Sequence, residues 1–372
     1  MLNWILIYFV VYAGLLGTIT LVGYFLQRQK ESKRICEEAG IDLSELVVII
    51  PFRNEEKRLY VLLESISNSV LHPKRYVFVD DHSTDNSCSF IKERLNDSIP
   101  YQIISLEEGV EGKKLAIRKG IEFSESEYVL GWDADCSFSR DYFTQLKSLP
   151  AADLYVMPAV MLAEREFEHL YEVDLLLVNA ANCGVAGLLR PIMASGANML
   201  YKRSAFKQYD QYSTHAHMPS GDDIYLLRDF RRAKAKVHLV TDRTLAVFTE
   251  TPQSFSEFIH QRLRWIAKTG DVKDHLSTSL AMLQGLLTIG FVILMILTIF
   301  QQEWKWASVV FIVKSVIDLL FFLPFFNRMG RMRSWLYIPI YELLFPFYTL
   351  MIVMMMYTFK PTWKGRKLER NF

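Results

Sequence analysis

The stretch YVLGWDAD, residues 128–135, decides the fold that we expect for this chain. Its apolar start predicts a buried strand, which delivers Asp133 and Asp135 to its carboxyl end. In extended backbone the side chains of residues i and i+2 point the same way, so both carboxylates can face one small, hard cation. Mg²⁺ and Mn²⁺ prefer oxygen ligands and are often held by carboxylates plus the phosphates of a substrate. An isolated D-x-D is more often two solvated acids at a strand end, so the surrounding sequence has to decide.

Strands and helices alternate on both sides of this stretch, from about residue 44 to residue 245. The β-α-β-α-β-α-β order that ends at residue 132 predicts an α/β fold with a mostly parallel sheet and helices on both faces. The predicted strands are 46–50, 76–79, 101–106, 128–132, 199–201 and 237–241, and the predicted helices are 55–68, 85–95, 113–123, 163–190, 223–233 and 254–268.

Three polar segments follow predicted strand ends, P-F-R-N-E-E at 51–56, D-D-H-S-T-D at 80–85 and D-A-D at 133–135. Ligands of parallel sheets bind at the carboxyl ends of the strands, so we expect these segments to converge on one crevice. The first two are not Gly-rich, which excludes a dinucleotide fingerprint and a Walker loop. Their carboxylates can accept hydrogen bonds from a nucleotide base and from ribose hydroxyls. Ordinary turn chemistry explains the same residue types equally well.

Two lysines, Lys113 and Lys114, follow Gly112 where a helix is predicted to begin. A lysine at a helix N-terminus suits a phosphate, through its charge and through the free backbone N–H groups. The alternative is a solvated helix start, which we expect for Lys114 rather than for Lys113. Asp222 and Asp223 open a later helix, where a carboxylate can act as general base towards an acceptor hydroxyl. A plain helix cap explains these two acids on sequence alone, because acids favour the first turn.

The amphipathic helix predicted at 254–268 contains Q-R-L-R-W at 261–265. Gln261, Arg264 and Trp265 share one helical face, because residues i, i+3 and i+4 are neighbours. Arginine suits a diphosphate, and the flat face of tryptophan suits a sugar ring. A helix lying at a membrane surface needs the same residue types, so that interpretation stays open.

Composition excludes one class of partner and indicates another. A net charge of +1 over 372 residues provides no strongly basic surface, so no nucleic acid partner is expected. The four cysteines show no paired spacing, which predicts free thiols in a reducing compartment rather than a disulfide or zinc framework. Apolar residues are concentrated in four segments, which indicates a membrane. These segments are 1–27, 276–302, 306–327 and 335–359.

The apolar segments predict a protein anchored in a membrane by helices at both ends. Residues 1–27 and 276–302 carry no charged side chain, and each exceeds the roughly 20 apolar residues that cross a bilayer. Basic residues follow the first segment, so the positive-inside rule places that flank and the alternating region in the cytoplasm. The basic tail 360–372 also favours the cytoplasm, which three full crossings before it would not allow. We therefore expect the last segment to be re-entrant or interfacial.

Charged side chains inside the apolar segments are costly and are expected to pair or to face the interior of a helix bundle. Lys314 and Asp318 are four residues apart, a helical spacing that lets them pair. Glu342 is the single charged side chain of the last segment, between Pro339 and Pro346, and a segment that is bent or lies partly in the interface would explain it.

The ordered set of motifs resembles the family 2 glycosyltransferases, which have the GT-A catalytic fold. Among them, the chain is most similar to membrane-embedded members such as the hyaluronan and cellulose synthases and the ceramide glucosyltransferases. Each motif is weak alone, and the signal comes from their order and spacing between about residues 50 and 265. The matching pieces are P-F-R-N-E-E, V-D-D-H-S-T-D, G-K-K-L-A, D-A-D, S-G-A-N-M, G-D-D and Q-R-L-R-W.

The resemblance implies an inverting hexosyltransferase that uses a nucleotide sugar, with a UDP-sugar as the expected donor and Mg²⁺ or Mn²⁺ as cofactor. It implies a lipid or glycan acceptor and an integral membrane protein, expected in the bacterial inner membrane. The implied site residues are Arg53, Glu55, Asp80 and Asp81 for the nucleoside, Lys113 for the diphosphate, Asp133 for ribose and metal, Asp135 for the metal, Asp223 as base with Asp222 as second choice, and Gln261, Arg264 and Trp265 for the leaving diphosphate and the acceptor sugar.

The resemblance and the apolar segments together predict six regions along the chain. They are a transmembrane anchor at 1–27, a basic cytoplasmic linker at 28–43, a GT-A catalytic domain at 44–253, an amphipathic interfacial helix at 254–275, membrane helices at 276–359 and a basic tail at 360–372.

Two features depart from the family's pattern, and two alternative functions follow. His82 stands where the family usually has glycine, and the membrane segments are fewer than in many polysaccharide synthases, which argues against a polymer channel.

A processive polysaccharide synthase is the first alternative, and the Q-x-x-R-W motif favours it. A non-catalytic membrane scaffold with a retained nucleotide-binding fold is the second, and the joint presence of D-A-D, G-D-D and Q-R-L-R-W argues against it.

Overall fold

The computed structural model shows a chain that is divided into two compact units. The membrane unit comprises Met1–Gln29, Ala163–Ile192 and Thr251–Trp363. The sheet unit comprises Lys30–Leu162, Met193–Glu250 and Lys364–Phe372. The residues that the structure describes are 2–35, 40–216, 221–272, 274–358, 362–363 and 366–367.

The strands belong mainly to the sheet unit, where they form a seven-stranded and a three-stranded sheet. The strands are β1 Leu46–Phe52, β2 Arg75–Asp80, β3 Tyr101–Ser105, β4 Tyr128–Trp132, β5 Cys136–Phe138, β6 Leu154–Val156, β7 Ala159–Leu162, β8 Asn198–Lys202, β9 Val237–Leu239, β10 Val247–Glu250, β11 Thr362–Trp363 and β12 Arg366–Lys367.

The helices alternate with the strands through the middle of the chain and dominate both ends. They are α1 Leu2–Gly17, α2 Gly23–Ile35, α3 Leu59–Ser67, α4 Ser87–Arg94, α5 Lys113–Phe123, α6 Tyr142–Leu146, α7 Glu168–Leu188, α8 Arg203–Tyr209, α9 Asp222–Arg232, α10 Phe255–Val272, α11 His275–Phe300, α12 Trp304–Met329, α13 Met332–Trp335 and α14 Ile338–Thr358.

The large sheet is mostly parallel, as the sequence predicts. Its strand order is β3-β2-β1-β4-β8-β6-β9. Strands β1 to β4 run in one direction, and β1 pairs with both β2 and β4. Only β8 runs against its two neighbours. The run L-V-V-I-I of β1 is fully buried, which is typical of a central strand covered on both faces. The carboxyl ends of β1, β2 and β4 therefore share one edge.

An aromatic cluster fixes the end of β4, where the acidic stretch begins. Trp132 is fully buried, and its ring centroid lies 4.4 Å from that of Phe138 and 5.2 Å from that of Tyr142. The Tyr142 hydroxyl donates a hydrogen bond of 2.6 Å to Asn198 Oδ1, at the start of β8. These contacts hold both sides of the segment 133–135, because Trp132 precedes it and Phe138 follows it.

The sequence does not predict six strands that the structure contains, β5, β6, β7, β10, β11 and β12. Each has only two to four residues, too few for a period of two to be distinguished from a loop. Helix α7 also differs, because it begins at Glu168 and belongs to the membrane unit, whereas residues 163–190 are predicted within the catalytic segment.

Four helical stretches of the described chain are long and apolar enough to cross a membrane, which agrees with the four predicted segments. The last is a continuous helix through Pro346, so its length permits a crossing, and the re-entrant placement stays a prediction. Most of the predicted basic tail, and residues 36–39 of the predicted linker, lie outside the described residues. The four stretches are Leu2–Ser32, His275–Phe300, Trp304–Met329 and Ile338–Met355.

Within the membrane unit, α7 packs backbone to backbone on the first apolar segment. A π-helical turn, Thr18–Val22, joins α1 to α2 at this contact. A Cβ added at Gly184 would lie 1.8 Å from the carbonyl oxygen of Ile19, and one added at Gly187 would lie 1.8 Å from that of Gly23. Only glycine allows so close an approach, as small residues do in membrane helix pairs.

One buried lysine links the helices of the membrane unit. Lys314 Nζ donates a 2.8 Å hydrogen bond to Asp318 Oδ2 and also binds Glu342 of α14. The Tyr12 hydroxyl of α1 donates to Asp318, and the Lys314 ammonium lies 5.3 Å from the ring centroid of Phe291 in α11. The predicted pair of Lys314 and Asp318 is therefore confirmed. Glu342, which has no charged neighbour within its own segment, also pairs with Lys314, because tertiary packing brings it to this lysine 28 residues away.

We expect Lys314→Met to lower the thermal unfolding temperature of the detergent-solubilised protein sharply. The substitution leaves two buried carboxylates without their cation, and breaking such a pair costs about 3–5 kcal/mol. The control is the triple variant Lys314→Met, Asp318→Asn and Glu342→Gln, which removes all three charges and should recover most of the loss. A triple variant that is no more stable than Lys314→Met would contradict the electrostatic explanation.

Candidate active site

Lys113, at the start of α5, joins acids from two different elements. Its Nζ lies 2.6 Å from Asp133 Oδ1, after β4, and 3.7 Å from Asp222 Oδ2, at the start of α9. Burial works to lower the pKa of Lys113, but the charges of Asp133 and Asp222 outweigh it and the pKa is raised. Lys113 is therefore an ammonium. The resemblance assigns Lys113 to the diphosphate and Asp133 to ribose and metal, and the structure brings these two side chains together.

Asp135 pairs with Arg58, a residue that the sequence analysis does not identify. Arg58 Nη1 lies 2.8 Å from Asp135 Oδ2, and its Nε donates to Glu55 Oε2 at 2.9 Å. Burial, reinforced by the charge of Asp133, raises the pKa of Asp135 to about 6 although Arg58 opposes the rise. The nearby cations thus do not fully compensate the two carboxylates. No sequence pattern marks Arg58, because it lies in the turn before α3.

The D-A-D carboxylates fit a divalent cation. The side chains of Asp133 and Asp135 are 35% and 29% exposed, so their oxygens are accessible to a ligand. Hard divalent cations take carboxylate oxygens and complete their coordination with water or phosphate. The raised pKa of Asp135 indicates that an added positive charge at this point would be stabilised.

The residues predicted to hold a nucleoside lie at the ends of β1 and β2. Arg53 Nη1 is 4.0 Å from Asp81 Oδ1, and the Gly112 N–H donates to Asp81 Oδ2 at 3.1 Å. Burial raises the pKa of Asp81 against the opposing effects of Gly112 and Arg53. Asp80 Oδ1 accepts a 3.0 Å hydrogen bond from the Ser83 N–H. The turn chemistry considered for this segment is therefore present, and it orders the loop on which these carboxylates lie.

His82 occupies a left-handed backbone conformation, with φ of 59°. This region favours glycine, which gives a physical reason for the glycine usual in the family at this position. The imidazole Nε2 lies 3.0 Å from the carbonyl oxygen of Val110, a contact that glycine could not make. The histidine side chain therefore ties the loop after β2 to the loop before α5.

The paired acids Asp222 and Asp223 begin α9 directly after Gly221, whose φ of 92° is left-handed. The Gly196 N–H donates to Asp223 Oδ2 at 3.2 Å, and a Cβ added at Gly196 would lie 2.9 Å from Asp222 Oδ2. The same Cβ would lie 3.2 Å from Lys113 Nζ. The S-G-A-N loop at the start of β8 is thus packed directly on the two acids.

A small cavity of about 40 Å³ lies beside these acids. Its volume suits a few water molecules. Both Asp222 and Asp223 face it, together with the aromatic ring of Tyr201 and the side chains of Lys114 and His215. The cavity therefore separates the two acids from a second polar cluster.

Lys114 belongs to that second cluster, and the prediction that it is solvated is wrong. It is 6% exposed, and its Nζ donates a 3.1 Å hydrogen bond to the carbonyl oxygen of His215. Lys114, Ile117 and Arg118 fall on one face of α5 because they are three and four residues apart, and all three line the cavity. An isoleucine at this spacing was the signal in the sequence that this face is covered.

Asp210, His215 and Asp229 offer ligand atoms within 4.8 Å of one another, a spacing that can hold a metal ion. Lys114 Nζ also lies 3.1 Å from His215 Nδ1. An ammonium can only donate, so Nδ1 accepts and the imidazole proton lies on Nε2. His215 Nε2, which carries this proton, lies 3.7 Å from Asp229 and 3.9 Å from Asp210. A metal ion at this position would instead need the lone pair of Nε2. The cluster fits a buried hydrogen-bonded network better than a metal centre.

Gln261, Arg264 and Trp265 lie on α10, in the membrane unit, and the predicted helix is confirmed. Arg262, between them, is 4% exposed and forms an ion pair with Asp174 of α7. Its guanidinium lies 4.2 Å from the ring centroid of Trp265. Arg262 therefore fixes α10 and Trp265 within the membrane unit, a role that the sequence analysis does not assign. The ligand roles of Gln261, Arg264 and Trp265 stay predictions.

Residues 47–210 match the sequence profile of Glycosyl transferase family 2. This segment, less than half of the chain, is therefore similar to the family 2 glycosyltransferases, which supports the predicted enzyme class. The narrower likeness to hyaluronan and cellulose synthases stays a prediction.

A curated relative is the undecaprenyl-phosphate 4-deoxy-4-formamido-L-arabinose transferase of Pectobacterium carotovorum subsp. carotovorum. It is 25% identical over 174 residues, which are 46% of this chain and 47% of the relative. The chain thus matches about half the length of this relative.

Similar solved structures are glycosyltransferases of low sequence identity. The mannosyltransferase PcManGT from Pyrobaculum calidifontis, in complex with GDP-Man and Mn²⁺, is 14% identical with a TM-score of 0.49, and the match covers 89% of this chain and 97% of that one. S. aureus TarS 1-349 in complex with UDP-GlcNAc is 15% identical with a TM-score of 0.41, and the match covers 81% and 91%.

We expect Gly196→Ala to lower turnover at least about tenfold, because its Cβ would displace the Asp222 carboxylate and the Lys113 ammonium, and small misplacements of reacting groups are costly. The measurement is release of nucleoside diphosphate from the donor that the wild-type protein uses. Gly131→Ala in β4 is the matched control, since its Cβ would meet only atoms at 3.9 Å. Equal activity of the two variants would show that the S-G-A-N loop does not constrain the acids.

Proposed function

We propose that this chain is a membrane-bound inverting glycosyltransferase that moves a sugar from a nucleotide-sugar donor, a UDP-sugar, to a hydroxyl of a lipid or glycan. One observation supports this most directly. The Lys113 ammonium lies between an acid of the D-A-D stretch and an acid of the G-D-D stretch, at the carboxyl end of β4. A transferase needs donor-side and acceptor-side groups in one site, and the donor-side residues Lys113 and Asp133 lie within the segment 47–210 that matches family 2.

The donor side is assigned to the loops after β1, β2 and β4. Arg53, Glu55, Asp80 and Asp81 would hold the nucleoside, since carboxylates at the strand ends can accept from base N–H groups and ribose hydroxyls. Lys113 would contact the diphosphate, because its ammonium already lies at the N-terminus of α5, where anions are favoured.

Asp133 and Asp135 are the residues that would hold Mg²⁺ or Mn²⁺. Such an ion, when bound, neutralises charge that develops on the departing diphosphate. Gln261, Arg264 and Trp265 are assigned, from their motif, to the leaving diphosphate and the acceptor sugar. Arginine and lysine side chains would share the stabilisation of the leaving group.

The transfer is a single displacement. The acceptor oxygen forms a bond to the anomeric carbon while the bond from that carbon to the diphosphate oxygen breaks. Asp223 takes the proton of the acceptor hydroxyl as general base, with Asp222 as the second choice. The nucleoside diphosphate leaves with the bonding electron pair. The reaction therefore needs no enzyme nucleophile, and attack from the face opposite the leaving group inverts the anomeric centre.

A lipid phosphate is a second candidate acceptor, favoured by the name of the curated relative, an undecaprenyl-phosphate sugar transferase. A phosphate oxygen is already ionised at neutral pH and needs no general base. The assignment of Asp223 therefore distinguishes the two acceptor classes. We place the protein in the bacterial inner membrane with its sheet unit in the cytoplasm, where nucleotide sugars are available.

Donor turnover tests the proposal. The protein in mild detergent would be given a panel of nucleotide sugars with Mg²⁺ or Mn²⁺, with and without membrane lipid extract, and nucleoside diphosphate release would be measured. We expect release from one donor, stimulated by lipid and abolished in Asp135→Ala. If no donor is turned over and no nucleotide binds, the scaffold interpretation replaces the enzyme.

Asp223→Asn should lower kcat by about 10²- to 10⁴-fold if the acceptor is a hydroxyl, since this is the usual contribution of a general base. Asp222→Asn is the matched control and should cost less, because Asp222 is the second choice for the base. The measurement is transfer to purified glycolipid and, separately, to polyprenyl phosphate. Near wild-type transfer to polyprenyl phosphate by Asp223→Asn would favour the phosphate acceptor and remove the base assignment.

A further inference from the structure

A buried network lies behind the two acids of α9, on the far side of the small cavity. Lys114 of α5 donates to the carbonyl oxygen of His215 and lies 3.1 Å from its Nδ1. Both side chains are almost completely buried, with residues 6% and 3% exposed. An ammonium is costly to bury unless it is paired, so this contact defines the position of the segment that contains His215.

The network reaches α9 one turn after the acids. Tyr225 follows Asp222 by three residues and is fully buried. The His215 ring stacks on Tyr225 with centroids 4.4 Å apart and planes at 4°. The Lys114 ammonium lies 4.6 Å from the Tyr225 centroid, and the Arg228 guanidinium lies 4.9 Å from it. Aromatic stacking and two cation–π contacts therefore fix the first turn of α9.

A second set of bonds fastens the other end of the same segment. Asp229 accepts a 3.0 Å hydrogen bond from the Gln211 N–H, and its carboxylate faces His215 Nε2 at 3.7 Å. Asp210 forms an ion pair with Arg118 of α5. The segment 210–215 is thus held to α5 and to α9 at both of its ends.

We propose that Lys114 and His215 are positioning residues that hold the carboxylates of Asp222 and Asp223 in place beside the Lys113 ammonium. This inference rests on the proposed function, because it concerns the same acids. Lys113 and Lys114 are consecutive residues of α5, yet the first contacts Asp222 and the second contacts Tyr225 and His215 behind it. The first turn of α5 therefore contacts α9 at two places. Lys113 contacts Asp222, and Lys114 contacts Tyr225, three residues further along α9.

A positioning role for Lys114 predicts an effect on the rate of transfer and not on donor binding. Lys114 donates to His215 and lies over the Tyr225 ring of α9, so we expect its loss to act on α9 and to leave donor binding intact. The orientation of the acids towards the acceptor should change instead, and misplacement of a reacting group by about 1 Å can cost roughly 10²-fold in rate. A loss in kcat with unchanged donor affinity is the signature of such a residue.

The test compares Lys114→Met with Lys119→Met, the same substitution on the same helix at a partly exposed lysine paired with Glu107. Three quantities are measured on the full-length protein in detergent. They are the Kd and stoichiometry for UDP with Mn²⁺, turnover per bound nucleotide, and hydrogen exchange of backbone amides in 222–226. Exchange reports the local opening of the first turn of α9 whether or not a donor is turned over.

We expect Lys114→Met to lower turnover per bound nucleotide about 10- to 100-fold, to keep the UDP affinity within about twofold, and to accelerate exchange in 222–226. Lys119→Met should match the wild type in all three. If Lys114→Met does not fold, His215→Gln removes the stacked ring instead and is expected to give the same pattern. Wild-type turnover and exchange in the folded variant would overturn the proposal.

The two proposals fail in distinguishable ways. A wild-type protein that turns over no donor contradicts the proposed function, while faster exchange in 222–226 of Lys114→Met would still establish the positioning contact. An active wild type with an unaffected Lys114→Met contradicts only the positioning role. Loss of nucleotide stoichiometry in proportion to activity would show a general loss of folded protein and would also overturn it.

Discussion

The position of the Lys113 ammonium, between Asp133 and Asp222, is the constraint on which the candidate site depends. Two like-charged carboxylates from separate elements would repel one another in a partly buried site, and a shared cation removes that cost. The ends of three elements place these three side chains next to one another. Helix α5 begins at Lys113, β4 ends directly before Asp133, and Gly221 turns the chain into α9. The central apolar strand β1 then pairs with β2 on one side and with β4 on the other, so the polar loops after all three share one edge.

The same electrostatic rule operates in the membrane unit. A lysine shared by Asp318 and Glu342 links helices that are otherwise apolar, and Arg262 and Asp174 link α10 to α7. Buried charges are tolerated only in such pairs, so each pair specifies which faces of the helices meet. Charge pairing therefore specifies how the elements within each unit are oriented, while apolar burial supplies most of the driving force for folding.

Long elements with a clear pattern could be predicted, and short ones could not. Strand β4 and helix α5 have the predicted limits, because an apolar run and a Gly-Lys start are local signals. Strands β5 and β6 could not be predicted, because three residues are too few to show the alternation of apolar and polar side chains that is typical of a strand. The buried state of Lys114 was missed for a different reason. A lysine at a helix start is solvated unless another element covers it, and here the covering element comes from residues 210–215.

The sequence by itself determined the class of fold, the four apolar helices and many of the acids and bases of the candidate site. These follow from hydrophobic periodicity and residue chemistry, which act over a few neighbouring positions. Only the tertiary structure decided which charges meet. Arg58 with Asp135, His215 with Lys114, and Glu342 with Lys314 are separated by 77, 101 and 28 residues. A pair that distant is specified by the packing of whole elements, and no local pattern in the chain records it.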